Sequence, residues 1–153
     1  LYLRNGTYLV SDTLQWYNAA GENDAYLTLQ GESRDGVILR LSDQNPRFQN
    51  ADPATPPERR AVIHVRSDDN PAWYANPANP YGRALGEGHL AFHNNLVNFT
   101  VDVGHGNPGA VGIDYHASNQ GVLKDVVIRS ADGQGLVGLA LDRNNTGPGF
   151  VTG

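Results

Sequence analysis

The residues best suited to chemistry lie on two matching stretches 26 positions apart. Val111-Gly112-Ile113-Asp114-Tyr115-His116 aligns with Val137-Gly138-Leu139-Ala140-Leu141-Asp142. In each, alternate residues are apolar, the signature of a strand with one face on a core. Val111, Ile113 and Tyr115 are expected to point in; Asp114 and His116 to point out. Stacking the second stretch about 4.8 Å from the first puts His116 over Asp142, with Asp114 next to it on the same face. Cleavage of a glycosidic bond uses two carboxyl groups roughly 5–9.5 Å apart, a spacing that Asp114 and Asp142 can meet. An imidazole beside them adds a group able to move a proton near neutral pH. Asp114, His116 and Asp142 are therefore the candidate catalytic residues. The blander account is a set of cross-strand pairs on a solvated face, each stabilising the sheet by roughly 0.2–1 kcal/mol.

Trp73, Tyr74 and Tyr81 form the candidate substrate-binding set. They lie among Asn70-Pro71, Asn76-Pro77 and Asn79-Pro80. Pro stiffens such a loop, and aromatic faces stack on sugar rings. The same rings could instead pack the loop onto its scaffold.

The elements that must hold these residues repeat as well. Phe99, Val101 and Val103 fall on Val126, Ile128 and Ser130, 27 positions on, and outward-pointing Asp102 falls on Arg129 as an exposed ion pair. Each period carries two short alternating runs separated by Gly, Asn, Pro and Asp, with no helix-period stretch between them. A unit this small cannot close a core alone and must stack on its neighbours. The expectation is an all-β chain, a right-handed single-stranded parallel β-helix. Its handedness follows from the bias of parallel crossovers. Asn119 and Asn145, equivalent in the repeat, are expected to stack at a corner and bond from turn to turn. Gly104-His105-Gly106 resembles the Gly-His-Gly of polygalacturonases. It lacks their Asp-rich motifs and downstream Arg-x-Lys, and so reads as a tight turn.

Leu1-Tyr2-Leu3, Tyr8-Leu9-Val10, Thr13 to Trp16, Tyr26 to Leu29 and Val37 to Leu41 read as earlier strands. Clustered X-Pro pairs then break the rhythm. Residues 42–60 and 67–87 are expected to be excursions from one domain spanning 1–153, with the strand Ala61 to Val65 between them. Composition supports a turn-rich β chain: 18 Gly and 9 Pro in 153 residues. The absence of cysteine removes disulfides and zinc-thiolate sites. A net charge of -5 with a single lysine argues against nucleic acid as a partner. No apolar run reaches the roughly 18 residues a membrane span needs. No dense carboxylate cluster suggests a metal, and no motif suggests a cofactor. Asn5, Asn98 and Asn144 sit in glycosylation tripeptides.

The opening Leu1-Tyr2-Leu3-Arg4-Asn5-Gly6-Thr7-Tyr8-Leu9-Val10 and the run Leu27-Thr28-Leu29-Gln30-Gly31-Glu32 resemble rungs of pectate-lyase-like β-helices. The stretch from Gly106 to Ser130 is similar to one in family-55 glycoside hydrolases and their relatives. The resemblance implies an extracellular or cell-surface protein acting on polysaccharide, nearest the exo-β-1,3-glucanases. It also implies a fragment of the first of two side-by-side β-helices, lacking both end caps, with the catalytic acid beyond Gly153. The alternative is a non-catalytic fibre, sheath or tailspike-like β-helix that binds glycans through its loops or associates with itself.

Overall fold

The computed structural model describes residues 1–16, 25–50, 60–65, 91–116, 120–141 and 149–153. Trp73, Tyr74, Tyr81, Asp142, Asn119 and Asn145 lie outside the described residues, as does the excursion at 67–87.

The described chain is all-β, apart from one 3-10 turn at Pro46–Phe48. Its strands are β1 (Tyr2–Leu3), β2 (Gly6–Val10), β3 (Thr28–Gly31), β4 (Val37–Leu41), β5 (Arg60–Val65), β6 (Asn95–Asp102), β7 (Ala110–Tyr115), β8 (Gly121–Arg129), β9 (Val137–Ala140) and β10 (Gly149–Thr152). Every pairing is parallel. Sheet A holds β1, β2, β3, β4, β6, β8 and β10; sheet B holds β5, β7 and β9. From β4 onward successive strands fall alternately in sheets A and B; before that, β1 and β2, and β3 and β4, are neighbours in sequence within sheet A. Even the short Thr13–Trp16 run, expected as a strand, contributes a single bridge from Leu14 to Ile63 on the sheet-B side.

The repeat read from sequence is the pairing register. Phe99 pairs with Val126, Val101 with Ile128 and Asp102 with Arg129 in sheet A; Val111 pairs with Val137 and Ile113 with Leu139 in sheet B. Like residues therefore stack. Leu29, Leu96 and Leu123 form one core column, and Leu39 and Val101 another, facing Ile63, Val65, Ile113 and Tyr115 from sheet B. Each such fully buried aliphatic side chain stabilises the fold by about 1.5–3 kcal/mol. At Gly112 there is no room for a side chain: a Cβ would collide with Ile128 Cγ2 of sheet A and stand 2.7 Å from the Gly138 carbonyl oxygen of the neighbouring strand.

Corners recur at the same interval. His93 and Gln120, Asn98 and Asp125, and Gly106 and Gly133 all have positive φ, and each pair is separated by 27 residues. Tyr26 precedes His93 at the first corner and Gln44 precedes Gly106 at the third, both also with positive φ. Asn98 divides β6 into a half that pairs with β3 and a half that pairs with β4. Its amide donates to the Gly31 and Glu32 carbonyls of the preceding pass, at 3.1 Å each. That amide nitrogen is committed to the fold and is not an open glycosylation acceptor.

One boundary differs from expectation. Ser42 to Asn50, assigned to an excursion, forms a corner instead. Phe48 is buried in the core, and Asn45 and Asn107 tie the corner together. Asn45 N–H donates to Asn107 Oδ1 at 2.7 Å. Asn107 Nδ2 donates to the Ser42 and Val103 carbonyls, and Asn45 Nδ2 to that of Ser11. The X-Pro signal at Asn45-Pro46 marks a capped 3-10 turn that points Phe48 inward.

Candidate functional site

Ile113 and Tyr115 enter the main core as expected, whereas Val111, expected beside them, packs in a separate cluster with Ala61 and Ala140. Asp114 and His116 alternate with Ile113 and Tyr115 along the strand and its end. They are not exposed. Asp114 is 1% accessible and His116 0%. Alternation bears on which face a side chain takes, but not on whether that face is open to solvent. The expected solvated acid/base patch is thus corrected to a buried polar cluster.

The cluster gains a member that the 26-residue repeat could not reveal. His64 on β5 pairs in register with Asp114, and its Nε2 stands 3.8 Å from Asp114 Oδ2. β5 precedes the regular part of the repeat, so only the strand pairing brings it alongside. On the other side Asp114 pairs with Ala140, two residues before Asp142. A second carboxylate near Asp114 is therefore not found among the described residues. Tyr115, between the two candidates, points the opposite way. Its hydroxyl donates to the Asn94 carbonyl at 2.6 Å, and burial pushes its pKa up.

A second charged constellation lies at the corner after β6. Asp102, expected on a solvated face, is 2% accessible. Arg40 and Arg129 pair with it from the adjoining passes. Arg129 Nε donates to Asp102 Oδ2 at 3.0 Å, Arg40 Nη1 stands 3.7 Å from the same oxygen, and Gly104 N–H donates to Oδ1 at 2.9 Å. The next two backbone N–H groups are also taken by carboxylates: His105 donates to Asp43 at 2.9 Å and Gly106 to Asp132 at 2.6 Å. Gly104-His105-Gly106 is thus a tight turn, with left-handed backbone at both glycines, whose three amides hold aspartates from three successive passes. Concave runs of backbone N–H favour anions. The Gly106 amide, then that of Gln134, holds the Asp132 carboxyl down at about 2. The His105 amide, together with Arg40, lowers that of Asp43. All three aspartates are consumed by the fold.

No group of three His, Cys, Asp or Glu among the described residues is placed to hold a metal ion. No helix among the described residues is long and apolar enough to cross a membrane. No family model, curated protein or solved structure matches this chain.

Proposed function

We propose that this chain is a segment of an extracellular polysaccharide-active protein, built as a right-handed single-stranded parallel β-helix. A chain that alternates between two parallel sheets and turns the same corners every 27 residues winds most simply as a solenoid, and parallel crossovers are strongly right-handed. Fold leaves the function open. The observation that carries the functional reading is chain position: segment 66–90 follows directly on Val65, one residue beyond His64, which pairs in register with Asp114. That segment bears Trp73, Tyr74 and Tyr81. In this reading those three rings contact the sugar. Asp114 and His116 are buried and do not act as solvent-facing acid and base. The chemistry is then glycoside hydrolysis, by general acid/base attack of water at the anomeric carbon, and it uses carboxylates outside the described residues.

The test is affinity electrophoresis through gels cast with soluble polysaccharides, a β-1,3-glucan first. The native chain should be retarded. The triple variant Trp73→Ala/Tyr74→Ala/Tyr81→Ala should bind at least about tenfold more weakly, roughly the loss of one or two stacking contacts. Free migration of the native chain through neutral and acidic polysaccharides alike would overturn the reading.

The second reading, a non-catalytic fibre or adhesive β-helix, is favoured by exposed apolar side chains on the outermost strands, Leu9 on β2 and Phe150 and Val151 on β10. Such patches mark assembly surfaces. Concentration-dependent association in sedimentation, without glycan binding, would select it.

A further inference from the structure

The corners of the fold use left-handed backbone, and the residues that fill them differ sharply in kind. The second corner holds Asn98 and Asp125; the third holds Gln44, Gly106 and Gly133. Gly adopts this conformation freely, and Asn and Asp tolerate it through their short polar side chains. The first corner holds Tyr26 at φ 59°, His93 at φ 50° and Gln120 at φ 69°. His is tolerated there, but a bulky Tyr at positive φ is an outlier. Such a conformation in a non-glycine residue is strained, and outliers of this kind gather at functional sites.

The fold makes little use of the ring that causes this strain. The Tyr26 backbone N–H donates to the Phe92 carbonyl at 2.7 Å, a bond that any residue could make. The side chain's only ring contact among the described residues is with His93 in the next pass, the ring centroids being 5.2 Å apart and the planes 15° from parallel. Tyr26 is 73% accessible. The stack fixes the phenol ring against one neighbour and leaves the rest of it open. Beyond it on the outer face of sheet A come Thr28 and Gln30 on β3 and Asn95 on β6. These residues alternate with the core leucines Leu29 and Leu96 and so point outward. Asn95 Nδ2 donates to the Thr28 hydroxyl at 3.1 Å, which fixes both side chains. Thr28 follows Tyr26 by two residues, about 7 Å along an extended strand. An oriented aromatic face with fixed hydroxyl and amide groups beside it suits a pyranose, which has apolar C–H faces and a rim of hydroxyls.

We propose that the Tyr26–His93 stack, with Thr28, Gln30 and Asn95, is a sugar-binding platform on the outer face of sheet A. It takes one neutral pyranose unit of a glycan chain. The proposal rests on the polysaccharide reading above and can fail while that reading stands.

The experiment measures binding of a soluble β-1,3-glucan to the full chain and to Tyr26→Gly and Tyr26→Trp, together with the melting temperature of each. Gly removes the ring and relieves the left-handed strain, whereas Trp keeps an aromatic face. The expected result is three- to tenfold weaker glucan binding by Tyr26→Gly, with a melting temperature at or above that of the native chain, and near-native binding by Tyr26→Trp. A functional residue and a merely structural one therefore move stability in opposite directions. Native binding by Tyr26→Gly would overturn the platform and leave the polysaccharide reading standing. A lower melting temperature that tracks the loss of binding would assign Tyr26 to the fold and overturn the platform as well. Failure of the native chain to bind would overturn both.

Discussion

Asp102 in sheet A and Asp114 in sheet B occupy matching situations. Each is on the outward side of a strand, each stacks against a basic residue of an adjoining pass, and each is almost wholly buried. They differ in what surrounds them. Asp102 lies between two arginines and accepts a backbone N–H as well. The two arginines reach it from the passes on either side, so this carboxylate ties three passes together. Asp114 has His64 beside it in register and His116 two residues along. The contrast separates a carboxylate bonded to arginines of two adjoining passes from one set beside a single in-register histidine. It also shows that the outside of a sheet is not the same thing as solvent.

The largest expected effect is at Asp102. Asp102→Ala should destabilise the chain by about 2–3 kcal/mol in urea denaturation, because it leaves the Gly104 amide and the Arg129 guanidinium without their acceptor, while Arg40 keeps Asp43. A loss under about 1 kcal/mol would place this ladder with ordinary surface ion pairs. Asp114→Asn keeps an acceptor and nearly the same shape, and should cost less, about 1–2 kcal/mol. A cost above that of Asp102→Ala would invert the comparison. Arg129→Gln should cost about 1 kcal/mol, since half of that side chain is exposed and its ion pair must be discounted for solvent screening.

The smallest effect distinguishes buried from exposed members of the same corner. Asp132 is held near 2 in the folded chain, against about 3.9 in an unfolded one. A depressed carboxyl stabilises the folded state above its unfolded pKa and loses that contribution as pH falls through the folded value. Melting temperature should therefore fall more steeply between about pH 4 and pH 2 in the native chain than in Asp132→Asn. Identical slopes would show that the Gly106 amide does not hold that charge.

Much of this architecture was legible in the sequence. The spacing from Phe99 to Val126 and from Val111 to Val137 is the pairing register itself, because a stack can bury its core only where apolar residues fall on apolar residues. Burial of Asp102, Asp114 and His116 was not legible, since alternation reports the face and not its cover. His64 escaped notice because β5 stands outside the regular period. The expected asparagine stacking at Asn119 and Asn145 lies outside the described residues. Turn-to-turn amide bonds are instead made by Asn98, Asn45 and Asn107. Asn98 lies inside an apolar alternating run, where its left-handed bend leaves no Gly or Pro as a mark. At Asn45 the following Pro suggested a departing loop, whereas the side chain caps a turn that returns to the core.

The central claim is that this chain binds polysaccharide on a scaffold in which Asp114 supports the fold and does not touch the sugar. Affinity electrophoresis of the native chain and Asp114→Asn side by side, in gels with neutral and acidic polysaccharides, tests it most directly. The account predicts that at least one polysaccharide, a β-1,3-glucan first, retards both proteins equally at a temperature where both are folded. Free migration of the native chain in every gel would contradict the binding claim. Loss of retardation in a folded Asp114→Asn would contradict the role given to Asp114 and return it to the sugar-contacting site.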